Sequence, residues 1–218
     1  MTFKILVSDK IADEGIRLLE EKGYEITKAW DTPKDQLPEI IAEYDAIIVR
    51  SATKVKGDLI GSARKLKVIG RAGIGLDNID LKTAKAKGIV VVNTPEASAN
   101  SVAELAIGHM LALSRSVVKG TTTLRKGEWA KKELKGVEVQ GKTLGLIGYG
   151  NIAKIVEKLA QALGMKVLIV RSRVYDRFIS LADMLPKADF ISLHVPLTPQ
   201  TKYMLSSKEI TKMKDGVM

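Results

Sequence analysis

The residues best suited to chemistry in this sequence form a cradle for phosphate. Gly148, Gly150 and Ala153 stand in the pattern G-x-G-x-x-A, directly after the apolar run Leu144, Gly145, Leu146, Ile147 and ahead of a stretch with helical periodicity. That context separates a dinucleotide-binding turn from a chance glycine pattern. Gly148 permits a tight turn, Gly150 leaves out a side chain that would block a pyrophosphate, and Ala153 lets the helix lie close to the strand. The start of the helix, with Asn151 and Ile152 in its first turn, offers N–H groups and a positive dipole end to phosphate. The bland alternative is a tight strand-to-helix turn of another α/β fold.

A site of this kind carries an acidic residue about twenty positions further on, where it bonds the ribose hydroxyls of NAD. Counting from Gly148, that place falls at Arg171 (171 − 148 = 23), within Arg171, Ser172 and Arg173. No carboxylate stands there, and guanidinium groups suit a 2′-phosphate. The expected cofactor is NAD or NADP, with the local chemistry leaning to NADP. A solvated basic loop is the other reading of the same residues.

An earlier glycine pair, Gly73 and Gly75 around Ile74, lacks the third small residue because Asn78 occupies its place. A glycine-bearing loop after a strand can still present N–H groups to a small carboxylate. The expectation is a substrate loop containing Gly73, Ile74, Gly75 and Asn78. Of the two histidines, His194 ends a strand and His109 lies in an apolar helix. For both, a packed or solvated role is the simpler reading.

These groups need elements to hold them. Short β-branched runs alternate with amphipathic stretches, the pattern of βαβ units around a parallel sheet. Strands are expected over 4–7, 25–28, 46–50, 67–69 and 90–92, with helices over 11–21, 35–41, 57–62 and 81–86. Five strands with four crossovers suggest a flavodoxin-like lobe over 1–97, closed by the break at Asn93, Thr94 and Pro95. One long helix is expected over 98–119, with Ser98 or Asn100 as N-cap and Val102, Leu105, Ala106, Met110 and Leu113 on a core face. The same helix would suit a homodimer interface. The alternation resumes as strand 143–147, helix 151–163, strand 166–170, helix 181–185, strand 190–194 and helix 207–213, with another strand opening at 216–218. Residues 98–218 thus read as a Rossmann-type, doubly wound lobe whose last strand is cut short. The fold class is α/β throughout.

Composition narrows the classes. The 35 Lys and Arg against 25 Asp and Glu leave a charge of +10, which favours anionic partners. The excess is spread along the chain, and no nucleic-acid-binding motif or aromatic platform accompanies it, so no nucleic-acid partner is expected. The absence of cysteine removes disulfides, thiolate metal sites and a thiol nucleophile together. No metal site is expected. The longest apolar stretch is interrupted by Glu104, His109 and Arg115, so no membrane span is expected either, and a reduced cytoplasm fits.

Several blocks together resemble one family, the D-2-hydroxyacid dehydrogenases, and its phosphoglycerate branch in particular. They are Val49, Arg50, Ser51, Ala52, Thr53; the run from Gly70 and Arg71 through Gly73, Gly75, Asn78 and Asp80; Asn93, Thr94, Pro95 leading to Glu104; the Gly148 turn; and His194, Val195, Pro196. The resemblance implies two α/β lobes, usually in a dimer, and hydride transfer between a nicotinamide cofactor and a small anionic 2-hydroxy or 2-oxo acid. It implies that Arg50, Ser51 and the backbone of Gly73, Ile74 and Gly75 hold the substrate carboxylate or phosphate. It places Ile74, Asn151, Ile152, Arg171, Val195 and Pro196 along the dinucleotide. The family's Arg, Glu and His of the chemical step are expected beyond Met218, so no catalytic residue is assigned, and these 218 residues alone are not expected to turn over. The stretch 173–180 is shorter than the family's. Glyoxylate or hydroxypyruvate reduction, or a non-catalytic dinucleotide-binding interaction module, are the alternatives.

Overall fold

A computed structural model describes residues 2–171 and 177–218. The chain divides into two compact units, Met1–Ser98 and Ala99–Met218.

The first unit is a five-stranded sheet. Strands β1 (Lys4–Val7), β2 (Glu25–Lys28), β3 (Ala46–Val49), β4 (Val68–Arg71) and β5 (Val90–Asn93) lie in the order β2-β1-β3-β4-β5, every pair parallel. This is the flavodoxin-like order, and it reverses between β1 and β3. Successive side chains of a strand point to opposite faces. In β1, Leu6 therefore enters one core with Ile47, Val49 and Ile69, while Ile5 and Val7 enter the other with Ile16 and Ala46. Helices α1 (Asp13–Glu21), α2 (Leu37–Ile40), α3 (Asp58–Ser62) and α4 (Leu81–Ala86) connect the strands. The second is shorter than expected, and the chain tightens into a 3₁₀ turn over Ile41–Glu43. Asp80 caps α4 by accepting the Thr83 N–H at 3.0 Å.

The second unit begins with a correction. In place of one helix over 98–119 there are two, α5 (Ala99–Ser114) and α6 (Val117–Arg125), bent by 66°. Ser116 takes the left-handed conformation, φ 53°, between them. A continuing helix would have used the Ser114 carbonyl for the N–H four residues on. That carbonyl is instead taken at 2.8 Å by the N–H of Val137, from a distant stretch of chain. The core face is also narrower than expected: Ala103 and Met110 are buried, but Val102, Leu105 and Leu113 are exposed. Asn100 lies inside α5 and donates to Glu104 at 3.1 Å, leaving Ser98 ahead of the first turn.

A four-stranded sheet follows. Strands β6 (Thr143–Ile147), β7 (Lys166–Val170), β8 (Phe178–Ile179) and β9 (Phe190–Leu193) run parallel in the order β8-β7-β6-β9. Here the order reverses between β6 and β9. The two-residue β8 had no sequence signature. Helix α7 (Asn151–Ala162) packs with α5 on one face, over Leu144, Leu146 and Ile169. Helix α8 (Leu181–Met184) covers the other face, where Met184 and Leu185 meet Ile147 and Val170. The last helix, α9 (Ser207–Ile210), is shorter than expected and opens with a capping box between Ser206 and Glu209. Met218 donates to the Asp189 carbonyl at 3.0 Å and accepts from the Ile191 N–H at 2.8 Å, the two bonds of a parallel pairing beside β9.

Among the described residues no single helix is long and apolar enough to cross a membrane.

Candidate functional site

In the second unit, the candidate residues gather where the strand order reverses. β6 ends at Ile147, whose carbonyl accepts the His194 N–H at 2.7 Å, and the Gly148 N–H reaches the Val170 carbonyl at 2.9 Å. Gly148 turns away with φ 92°. A β-carbon there would lie 2.4 Å from the His194 carbonyl oxygen and 2.8 Å from Val195 Cγ1, so position 148 admits only glycine.

Gly150 differs. It is the N-cap of α7 with φ −94°, and a β-carbon on it would meet nothing within 4 Å. No side chain caps α7, so its first N–H groups face the space that Gly150 leaves clear. Ala153, fully buried, holds the helix against the sheet. Asn151 is exposed and Ile152 half-buried in the first turn. A cradle without side chains, at a helix start with uncapped donors, fits a pyrophosphate. Gly145, which the sequence pattern did not single out, leaves no room for a side chain: a β-carbon there would fall 2.2 Å from Met184 Sδ.

The end of β7 carries Arg171. It is exposed, its guanidinium carbon stands 5.6 Å from the Phe178 ring centroid, and among the described residues it makes no ion pair. Ser172 and Arg173, its expected companions, lie outside the described residues. Beside it is a network that sequence reasoning missed. The Tyr149 hydroxyl donates to Glu157 Oε2 at 2.6 Å, and Arg177 donates to both Glu157 oxygens, at 2.9 and 3.1 Å, and to the Tyr149 hydroxyl. Arg177 also stacks 4.8 Å from the Tyr149 ring centroid. Burial, then the hydrogen bond to Glu157, pushes the Tyr149 phenol above its ordinary pKa. The signal was available in part, because Glu157 falls on the buried face of an amphipathic helix and needed a partner.

After β9, Val195 is half-buried and touches the Gly148 turn, while the exposed Pro196 gives its carbonyl to Thr201 Oγ1 at 2.6 Å. His194 pairs with Ser192 Oγ at 2.9 Å, and burial lowers its pKa. His109 is exposed on α5. Both histidines line an apolar groove of 360 Å³ between α5 and the β9 edge, with Leu105, Met110, Val156 and Phe190. His194 both lines this groove and meets the Gly148 turn.

In the first unit, a second set of candidates collects at the reversal between β1 and β3. Arg50 and Ser51 are exposed and line an open cleft of 440 Å³ with Lys10, Trp30 and Lys34. Beneath them Asp9 is a buried hub. Its carboxylate accepts the N–H groups of Arg50 at 2.7 Å and Thr53 at 3.0 Å and the Thr53 hydroxyl at 2.8 Å, and it pairs with Lys34 at 3.2 Å. Burial pushes its pKa up, but the hydrogen bonds outweigh it and hold the carboxyl below its ordinary value.

Asn78 is placed differently from an open substrate contact. It is buried, and its amide donates to the carbonyls of Arg50 at 2.7 Å and Thr53 at 2.6 Å, so it braces the loop that presents Arg50. The loop of Gly73, Ile74 and Gly75 is anchored from behind: the Gly73 N–H bonds the Arg71 carbonyl at 2.9 Å, and Asn93 Nδ2 bonds the Ile74 carbonyl at 2.7 Å. Gly73 thus has no N–H to offer a ligand.

The profile of the D-isomer specific 2-hydroxyacid dehydrogenase catalytic domain matches residues 5–213. The chain is 47% identical to a hydroxypyruvate reductase of Thermotoga maritima, over 99% of this chain and 72% of that protein. It is 46% identical to a D-3-phosphoglycerate dehydrogenase of Methanocaldococcus jannaschii, over 99% of this chain but only 43% of that protein. Among solved structures, an NAD⁺-bound 3-phosphoglycerate dehydrogenase of Entamoeba histolytica superposes with a TM-score of 0.82 at 32% identity, covering 98% of this chain and 69% of that one.

Proposed function

This chain belongs to the D-isomer specific 2-hydroxyacid dehydrogenase family, and from that premise we propose that it carries the dinucleotide site and the substrate-anion site of a 2-hydroxyacid oxidoreductase. The observation that carries this is the cradle at Gly148 and Gly150, a turn closed to side chains opening on an uncapped helix. Residues 98–218 are the cofactor lobe and residues 1–97 the substrate lobe.

Within the cofactor lobe, the N–H groups at the start of α7, from Asn151 and Ile152, hold the pyrophosphate, and Val195 and Pro196 line the nicotinamide end. When bound, the dinucleotide supplies or accepts the hydride. Arg171, with Ser172 and Arg173, is assigned to a 2′-phosphate, which makes the cofactor NADP in preference to NAD; the support is an exposed guanidinium with no acidic partner among the described residues, at the place where an NAD site keeps a carboxylate. Arg50, Ser51, Ile74 and Gly75 meet the anionic end of the substrate, and Asn78 positions Arg50.

The substrate class is a small 2-hydroxy or 2-oxo acid, with D-3-phosphoglycerate favoured and a place in serine biosynthesis implied; hydroxypyruvate and glyoxylate are the alternatives. Relatives named for the first two support this range. No group within these residues is assigned to proton transfer. His194 is held by Ser192 and half-shielded beside the cofactor strands. Since general acid–base catalysis contributes about 10² to 10⁴-fold, the 218 residues alone bind without turning over. Cofactor-dependent oxidation of 3-phosphoglycerate by this polypeptide would overturn that.

A homodimer in the cytoplasm completes the proposal. Helices α5 and α6 expose Leu105, Leu113, Val117 and Val118, enough apolar surface to favour a partner. Sedimentation should give a dimer that Val118→Glu weakens.

Calorimetric titration with NADH and NADPH tests the central claim. Binding of NADPH tighter than NADH, reversed by Arg171→Asp, is expected. Equal or tighter binding of NADH removes the NADP assignment, and binding of neither by the folded chain removes the cofactor site.

A further inference from the structure

We infer that Tyr149 is a positioning residue for the adenosine end of the dinucleotide, joining the phosphate-binding turn to the ring on which Arg171 rests. This builds on the cofactor lobe proposed above.

Position 149 lies between two glycines whose tasks are to turn the chain and to leave space, and neither task needs a large side chain beside it. Tyr149 nevertheless turns inward. Its ring packs against the core of the second unit, 5.6 Å from the Phe178 ring centroid at an interplanar angle of 59°. Its hydroxyl reaches Glu157 at 2.6 Å, eight residues along the chain.

Glu157 is 8% exposed, and a buried carboxylate needs donors. One comes from its own helix, Gln161 Nε2 at 3.3 Å. The others are the Tyr149 hydroxyl, from the glycine turn, and both terminal nitrogens of Arg177, directly ahead of β8. Burial, then Glu157, raises the phenol pKa, so this donor keeps its proton at neutral pH. Apolar residues in place of a buried ion pair are often at least as stabilising. What the three side chains fix is geometry: turn, helix and β8 meet at one point.

Phe178 carries that order to the end of β7, where a dinucleotide site meets the adenosine ribose. The guanidinium carbons of Arg171 and Arg177 stand 5.6 and 5.9 Å from its ring centroid. Arg171 is exposed and makes no ion pair among the described residues, and a cation–π contact at an exposed site is weak. Such a contact orients Arg171 only if the ring itself is fixed, and Tyr149 packs against that ring. A site ordered beforehand loses less freedom when the dinucleotide arrives.

The test is calorimetric titration of the 218-residue chain with NADPH and NADH, and with inorganic pyrophosphate as their competitor. Tyr149→Phe removes one hydroxyl and should weaken both dinucleotides about three- to tenfold. Pyrophosphate should keep its wild-type affinity, because it meets only the N–H groups of α7. A merely structural lesion lowers the melting temperature and leaves every affinity of the folded protein alone, or weakens all three ligands alike; each of these results overturns the inference. Arg177→Lys keeps the charge but loses the fork on Glu157, and should reproduce the dinucleotide loss. It decides the matter by the same comparison if Tyr149→Phe proves unfolded by circular dichroism. If Arg171→Asp reverses a preference for NADPH while Tyr149→Phe changes nothing, the cofactor reading stands and the inference falls. If the wild type prefers NADH, the 2′-phosphate assignment falls, and the comparison of NADH with pyrophosphate still decides the role of Tyr149. No binding by the folded wild type overturns both.

Discussion

Gly148 and His194 approach so closely that a β-carbon on the first would sit 2.4 Å from the carbonyl oxygen of the second. The two residues directly follow β6 and β9, the neighbours between which the strand order reverses. Substitution there meets two penalties, a left-handed backbone at φ 92° and a clash with main chain that cannot rotate away. Gly148→Ala should cost about 2–5 kcal/mol of stability. Urea denaturation of the variant against wild type measures it.

Gly150 should behave in the opposite way. Its backbone suits any residue and a β-carbon would project into open space. Gly150→Ala should leave the melting temperature within about 2 °C of wild type. Nucleotide affinity should nevertheless fall at least about tenfold, because the methyl group occupies the pyrophosphate's place. A calorimetric titration beside a thermal melt separates the two effects.

Gly145 and Met184 are coupled by packing alone. The 2.2 Å approach means that Gly145→Ala must push the thioether aside, at about 1–3 kcal/mol. Combined with Met184→Ala, the loss should fall short of the sum of the single losses by at least about 0.5 kcal/mol. Denaturation of the four proteins of this cycle gives the coupling directly.

Asp9 should make the first unit acid-sensitive. Its folded pKa lies below the unfolded value of about 3.9, so its contribution is fully present above that value and is lost as pH falls through the folded pKa. Asp9→Asn should cost about 1.5–3 kcal/mol at pH 7, because charge-assisted bonds from Arg50 and Thr53 are lost. The gap between variant and wild type should narrow by pH 3. Urea titrations at the two pH values report it.

Much of this was readable along the chain. The glycine turn was found from spacing because its requirement is local: a strand, a turn that only glycine makes, and a helix start. The break at Ser116 was not readable, because nothing between 114 and 120 forbids a helix; the competitor is the N–H of Val137, which takes the Ser114 carbonyl. The pattern also mistook the role of apolar residues in α5, since periodicity shows a face but not what covers it. Asn78 was expected in the substrate loop from its position, and its buried contacts with the carbonyls of Arg50 and Thr53 make it a brace of the loop that carries Arg50.

By itself the sequence determined the α/β alternation and the backbone freedom at Gly148. Those depend on side-chain periodicity and on φ, which are properties of neighbouring residues. Only the tertiary structure decided which polar groups meet: Asp9 with Thr53 across 44 positions, Tyr149 and Glu157 with Arg177, and Arg71 beneath Gly75. A buried charge must be matched by donors in space, and many placements along a chain can supply the same match, so that choice waits until the sheets and helices have packed.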